Sequence, residues 1–463
     1  MSKKYITILL FLLQAILSFS TFAACDQFKL SASDANTDDR FGVSVAIDGD
    51  IAVIGAYRAD SNDPNSGAAY VYELVGSDWI ERQKLIASDV SPGDNFGRSV
   101  AVVADTIVVG SHLDDNPGQD DSGSAYVFTR SSSLWSQQQK LTASDAAAGD
   151  KFGVSVSISN NTIVVGAYGD DSYTGAAYVF AKNESNWTQQ RKLTASDAGA
   201  GDSFGFSAAI DNNTVIVGAY QDDHSEYFDA GSAYVFTYSG SSWIQDAVLH
   251  ASDPNNLDRF GFYVSLEGDL AVIGAYECDI NGVSDAGAAY VFDRTETGWI
   301  QRQKLFNDVN PNIGDDFGKS VAIESNIVLV GCPNYQLNDE QTGAVFEFVR
   351  SGDSWIHRNQ FAAEDANAGD EFGFSVSLSG RYLIAGALYS DNNGLSSGSA
   401  YVLTHLAADL DRDCVVDFAD FAALSVSWLQ NNALADIAPP PAGDGIIDIY
   451  DLAALCDNWL AGK

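Results

Sequence analysis

One unit of about 55 residues occurs seven times along this chain, and no other feature restricts the fold as much. Phe-Gly recurs at Phe41-Gly42, Phe96-Gly97, Phe152-Gly153, Phe204-Gly205, Phe260-Gly261, Phe317-Gly318 and Phe372-Gly373. Thirteen residues after each of these glycines stands another: Gly55, Gly110, Gly166, Gly218, Gly274, Gly331 and Gly386. Self-similarity at a fixed period marks an architecture of stacked units that share a core. A ring of like units offers a repeated binding surface, whereas an enzyme needs one unique constellation.

Each unit reads as four strands. In the third, Phe152, Val154, Val156 and Ile158 alternate on one side, and Asn160-Asn161 is a hairpin turn signal. Ile163 to Ala167 is a short apolar run, Gly175 to Phe180 a third strand, and Trp187 leads into a fourth at Arg191-Lys192-Leu193. Short strands at regular spacing indicate an all-β fold. Four strands repeated radially indicate a propeller, here of seven blades. The last unit stops after Tyr401-Val402-Leu403 without its Trp and fourth strand. The missing piece stands at the other end, as Gln27-Phe28-Lys29-Leu30. The N-terminal segment is therefore expected to complete the last blade and close the ring, which removes exposed sheet edges.

The 463 residues suit one large repeat domain plus a smaller one, and a hydrophobic content of 46% suffices for a packed core. Acidic residues number 63 against 24 basic, a net charge of −39, which argues against a nucleic-acid surface. Lys3 and Lys4, the apolar stretch Ile6 to Phe19, and Thr21-Phe22-Ala23 read as a signal peptide over residues 1–24. The mature chain is then exported, without a transmembrane helix. Cys25 also allows lipid anchoring, although Phe22 stands where such signals favour Leu. The five cysteines leave Cys278–Cys332 and Cys414–Cys456 as candidate pairs.

In such blades the connections from second to third strand and from blade to blade share one face, and the acid concentrates there. Asp34, Asp89, Asp145, Asp197, Asp253 and Asp365 stand seven residues before a Phe. Asp39, Asp94, Asp150, Asp202, Asp258, Asp315 and Asp370 stand two before it. Asp60, Asp115, Asp171, Asp223, Asp279 and Asp391 stand five after the second glycine. Two explanations are open: these carboxylates close turns by accepting backbone N–H groups, or they form a cation- or partner-binding rim. The last series, in loops of variable length, is the candidate binding set. Recurrent Tyr and Trp residues read as packing. The five His residues share no repeat position, and no catalytic triad or paired-carboxylate arrangement stands out.

The Phe-Gly and Val-x-Gly-Ala signatures resemble FG-GAP repeats, the units of the integrin α-chain propeller, over roughly residues 26 to 404. The resemblance implies a seven-bladed propeller over 25–404 and a binding role. Tyr57, Tyr168, Tyr220 and Tyr276 stand where the family's name has Pro, which only Pro333 keeps. The short connections Asp48-Gly49-Asp50, Asn160-Asn161 and Asn212-Asn213 leave no room for the family's calcium loop.

After residue 404 the pattern changes. Asp409, Asp411, Asp413, Asp417 and Asp420, with the Val415 carbonyl, match the ligand spacing of a calcium loop, and a helix with Phe421, Leu424 and Trp428 on one face follows. The segment recurs 31 residues later, bringing Asp444, Asp448 and Asp451. This duplicated loop-helix is similar to a dockerin type I domain, over 405–463. The resemblance implies Ca²⁺ as cofactor and a cohesin-like partner, read by Phe418, Ala419, Ile449 and Tyr450. Pro440 and Ala442 fall on ligand positions of the second copy, so that site is expected to be weaker. The leading expectation is an exported, non-enzymatic binding or adhesion protein. Its propeller face would recognise a protein or glycan, and its tail would tether it through calcium. The alternative is a subunit of an extracellular polysaccharide-degrading assembly, with glycosidase activity if a carboxylate pair breaks the repeat pattern.

Overall fold

In a computed structural model of the protein, the described residues are 27–404, apart from 62, 225, 338 and 339. The expected signal peptide, Cys25 and the whole dockerin-like tail, including its calcium ligands and partner-reading positions, lie outside them.

Seven four-stranded antiparallel sheets make up the fold, with a small hairpin, Gln336–Leu337 and Glu340–Gln341, in a connection of the sixth blade. The first strand of each sheet lies beside the first strands of its two neighbours, and the ring closes between Phe41–Asp48 and Ser375–Ser379. These first strands surround a central channel. The expected closure is present: Gln27–Leu30 pairs antiparallel with Ser399–Thr404 and forms the outer strand of blade seven.

Blade three shows how local sequence produces the form. Its strands are Phe152–Ser159, Thr162–Ala167, Ala176–Asn183 and Asn186–Leu193. Asn160, with φ of 53°, turns the first hairpin in a conformation that Asn tolerates. The second strand is buried on both sides, which explains its unbroken apolar run. Ile163 and Val165 pack against blade two, whereas Val164 packs against blade four. The expected alternation along the first strand holds only in part. The ladder is interrupted between Phe152 and Val156, so Val154 faces the channel while Phe152 and Val156 enter the core.

The core is thus a set of layers between neighbouring blades rather than one central mass. Phe152 meets Tyr178 edge-on, with ring centroids 5.5 Å apart, and the same contact recurs in the other blades with Tyr at that position. Such geometry places a positive ring edge on a negative ring face. The two glycine series meet between blades. A Cβ on Gly110 would lie 2.0 Å from the Gly153 carbonyl oxygen, which also accepts a hydrogen bond from Ser99 Oγ at 2.9 Å.

Polar side chains also fasten blade to blade. Gln83 brackets the Trp135 peptide, donating to its carbonyl at 2.8 Å and accepting from its N–H at 2.9 Å; Gln139 and Gln303 do the same to Trp187 and Trp355. Cys278 and Cys332 are both buried free thiols, so the candidate disulfide between them does not form. Each instead fills a core layer, Cys278 between blades four and five and Cys332 between blades five and six. No helix among the described residues is long and apolar enough to cross a membrane.

Candidate functional site

The face carrying the second-to-third and blade-to-blade connections is called the upper face below. Its three aspartate series serve two purposes: two of them close turns and one clamps lysines. In all seven blades the Asp two before the Phe accepts the backbone N–H three residues earlier, as in Asn36 to Asp39 at 2.7 Å and Ser91 to Asp94 at 2.6 Å. Burial is the main reason that Asp94, Asp258 and Asp315 are each pushed up to about 6.

The candidate binding series also closes turns. Asp60, Asp115, Asp223, Asp279 and Asp391 each accept a backbone N–H five or six residues on, at 2.6–3.1 Å. Asp171 differs; it has a φ of 47° within the short helical turn Asp170–Tyr173. All six are exposed and stand one to a loop. Among the described residues no three His, Cys, Asp or Glu side chains gather as a metal cluster. The short connections on the opposite face do not fit a calcium cage either. There Asp48 accepts the N–H of Ala104 at 2.6 Å and Asp211 that of Gly268 at 2.8 Å, tying each turn to the next blade.

The remaining series forms clamps. Asp34 accepts from Tyr70 Oη at 2.7 Å and Lys84 Nζ at 2.7 Å. Lys140 joins Asp89 and Asp114, both at 2.7 Å; Lys192 joins Asp145 and Asp170, both at 2.8 Å. Burial opposes ionisation of these carboxyls, but the lysine and tyrosine hydrogen bonds outweigh it and hold Asp34, Asp89, Asp145 and Asp365 below the usual range.

The two series respond oppositely to pH. A carboxyl raised on folding stabilises the folded state below its unfolded pKa, and that contribution is lost as pH rises through the folded value. A lowered carboxyl contributes above its unfolded pKa and loses this as pH falls through the folded value. Thermal stability is therefore expected to be greater at about pH 5 than at pH 7, and to drop steeply below about pH 4. A melting temperature that rises steadily from pH 5 to pH 8 would contradict this.

Where the sevenfold pattern breaks is more informative. The residue after each Phe-Gly points into the upper mouth of the channel, and the seven are Val43, Arg98, Val154, Phe206, Phe262, Lys319 and Phe374. Beneath them the ring position is Ser in six blades and Tyr263 in the fifth. The channel encloses about 280 Å³. On one side of its mouth the aromatic rings form a continuous arc: Tyr168 to Phe206 at 5.5 Å, Phe206 to Tyr220 at 4.8 Å, Phe206 to Phe262 at 4.9 Å and Phe262 to Tyr276 at 4.4 Å. All five are half-buried, so each offers a ring surface to solvent. Lys319 ends the arc, its Nζ 3.5 Å from the Tyr276 ring centre.

The upper face is thus not uniformly acidic. Its outer loops are, but the channel mouth carries Arg98 and Lys319, and Arg40, Lys151 and Arg259 stand directly before the Phe-Gly of their blades. Four of these are paired with acids: Arg40 with Asp38, Lys151 with Asp121, Arg259 with Asp229 and Glu277, and Lys319 with Asp316 at 3.5 Å. The Arg98 guanidinium has no hydrogen bond or ion pair among the described residues. An aromatic arc beside a cation free to bind is suited to a ligand group with an anionic end and a flat or apolar body. Sequence reasoning passed over these residues; the signal was the single position after Phe-Gly, compared across the repeats.

The FG-GAP repeat family model matches residues 25–72, 79–128, 135–180, 187–236, 243–292 and 355–403. The unmatched interval, 293–354, contains the first three strands of blade six, where several recurrent positions are changed. The chain is also 34% identical over 127 residues to integrin alpha-11 of Homo sapiens, covering 24% of this chain and 10% of that protein. It therefore spans a tenth of that relative's length. Matched segments over more than half of the chain, on seven blades carrying the Phe-Gly signature, lead to one conclusion: the chain belongs to the FG-GAP repeat family.

Proposed function

We propose that this is an exported, non-enzymatic binding or adhesion protein whose upper propeller face recognises a protein or glycan. In this reading the tail, residues 405–463, tethers it to a surface or complex through calcium held by Asp409, Asp411, Asp413, Val415, Asp417 and Asp420. Asp444, Asp448 and Asp451 would serve a second, weaker loop, and Phe418, Ala419, Ile449 and Tyr450 would meet a cohesin-like partner. The observation that carries the propeller half is the channel mouth. Among the described residues, half-buried aromatic rings, a cavity and an unpaired guanidinium coincide there. A few residues carry most of the binding energy at protein interfaces, and Trp, Tyr and Arg are enriched among them. Most of the repeated aspartates are engaged, by backbone N–H groups of their loops or by strand lysines, which supports reading them as scaffold.

The test is capture of partners by the full chain from envelope and secreted fractions, in calcium and in chelator. Arg98→Ala with Phe262→Ala is expected to weaken capture at least tenfold without lowering the melting temperature by more than a few degrees. Asp411→Ala with Asp413→Ala is expected to abolish only the calcium-dependent fraction. Unchanged capture by the mouth variant sinks the upper-face reading, and unchanged capture by the tail variant sinks the calcium tether. Recovery of polysaccharide-degrading enzymes through the tail would place the protein in such an assembly.

A further inference from the structure

Five blades contain the same clamp. A third-strand Tyr stands opposite an outer-strand Lys: Tyr70 and Lys84, Tyr126 and Lys140, Tyr178 and Lys192, Tyr290 and Lys304, Tyr401 and Lys29. In each, the Nζ lies 5.3–5.5 Å from the centre of the Tyr ring. The same Nζ lies 2.6–2.8 Å from the Asp of the preceding loop. In blades two and three a second, buried carboxylate, Asp114 or Asp170, completes the cage around the ammonium.

Two blades lack the lysine, and they lack it differently. In blade six every part is replaced: Asn310 for the loop Asp, Phe346 for the Tyr, Gln360 for the Lys and Tyr335 for the buried Asp. The space is filled with apolar contacts, Tyr335 to Phe346 at 5.4 Å among them. In blade four only the cation is gone. Val248 stands opposite Tyr234 where the lysine should be, while Asp197, Asp222 and Tyr234 all remain. Asp222 keeps the serine partner of its blade-two counterpart, accepting from Ser232 Oγ at 2.5 Å as Asp114 does from Ser124. Neither Asp197 nor Asp222 has an ion pair among the described residues.

Three further observations describe the polar groups around the slot. Tyr234 is fully buried, and its hydroxyl faces Asp222 and Asp197 without a hydrogen bond of normal geometry. Burial, with Asp202, Asp197 and Asp223 nearby, pushes Asp222 up to about 6, as expected of a carboxylate deprived of its counter-charge. Two imidazoles lie alongside: His250 Nδ1 is 2.9 Å from Ser232 Oγ, and its ring stacks on His224 at 3.6 Å. Burial, then His224, pushes His250 down to about 4, so it brings no positive charge at neutral pH. Asp197 is exposed, so its carboxylate is reachable from solvent.

We infer that the Asp197–Asp222–Tyr234 slot of blade four binds a primary ammonium group from outside the chain, in the place that the clamp lysines fill elsewhere. The carboxylates would accept its N–H donors and the Tyr234 ring would face its charge, as in the five internal copies. Two sources share this chemistry: a lysine side chain of a partner protein and a free polyamine. Asp197, Asp222 and Tyr234 are neither channel-lining residues nor members of the aromatic arc, so this inference stands independently of the channel mouth.

The test uses the full chain with labelled valine methyls, followed by NMR. A short glycine-flanked lysine peptide is titrated in, beside the same peptide with ε-acetyllysine, spermidine and calcium chloride. The lysine peptide is expected to shift the Val248 methyl signals saturably, and the acetylated peptide to leave them unmoved. Asp222→Asn is expected to weaken that response at least tenfold. Val248→Lys, read by calorimetry with the same peptide, is expected to abolish binding and raise the melting temperature, because the internal lysine then occupies the slot. Spermidine binding more tightly than the peptide would support the slot and name a polyamine as its occupant. Absence of any saturable shift overturns the inference, as does binding that survives Val248→Lys. A response to calcium but not to the lysine peptide would overturn it in favour of a metal site.

Discussion

Gly110→Ala is expected to cost the propeller more than about 4 kcal/mol, enough to leave much of the chain unfolded at room temperature. The added Cβ would lie 2.0 Å from the Gly153 carbonyl oxygen, 2.3 Å from Ser99 Oγ and 2.9 Å from the Gly153 carbonyl carbon. Two of these atoms are backbone of the adjacent blade, so no side-chain rotation relieves the overlap. The second strand of blade two, Thr106–Ser111, and the first strand of blade three would have to separate, opening the core layer beneath Phe152. Gly49→Ala is the matched control. Nothing lies within 4 Å of its Cβ position, and its φ of 55° should cost only about 1 kcal/mol. Denaturant unfolding of both variants decides the matter. A loss of 1 kcal/mol or less at Gly110 would mean that close approach between blades is not what the recurring glycines supply.

Removing residues 27–30 should have an effect of similar size by a different route. The segment is the outer strand of blade seven, paired along Ser399–Thr404. It buries Leu30 to 3% exposure in the layer between blades seven and one. Gln27 also donates to the Ala362 carbonyl at 3.1 Å and accepts from Glu364 N–H at 2.8 Å, and Lys29 completes the Asp365 clamp at 2.6 Å. Truncating Leu30 alone to Ala should cost roughly 2–5 kcal/mol. Losing the whole strand should cost more and expose the hydrogen-bonding edge of Ser399–Thr404, a template for pairing with other chains. The expected result is a lower melting temperature and concentration-dependent association by light scattering. Partial rescue is expected from a peptide of residues 26–34 added in trans. A truncated protein that stays monomeric with an unchanged melting temperature would show that the ring does not depend on this closure.

Both expectations rest on features legible without coordinates, because repetition averages out local ambiguity. A single Phe-Gly means little; seven in phase, each followed by a glycine at constant distance, define the strand order, the blade count and the ring. The closure was legible for the same reason, since a missing Trp-to-Lys strand at one end and a spare Lys-Leu strand at the other leave one consistent pairing. Val154 falls within the break in the ladder between Phe152 and Val156 and borders the channel instead of joining their core layer, which residue alternation alone does not register. Cys278 and Cys332 occupy comparable repeat positions but different core layers, so likeness in sequence did not mean proximity.

The roles of the acidic residues divided along the same line. Their spacing placed them in loops of one face, but a carboxylate that closes a turn and one that awaits a ligand look alike in one dimension. Only the fold distinguishes Asp94, saturated by the Ser91 N–H at 2.6 Å, from Asp197, left without the lysine that its counterparts hold. The channel mouth was hidden for a related reason. Arg98, Phe206, Phe262 and Lys319 are distant in sequence and meet only because a closed ring turns seven first strands toward one axis. Periodic hydrophobicity and glycine spacing are local and repeated, so the chain alone dictates the blade and the ring. The character of the unique sites depends on which repeat departs from the pattern and which neighbour it then faces, and that is a property of the closed three-dimensional ring.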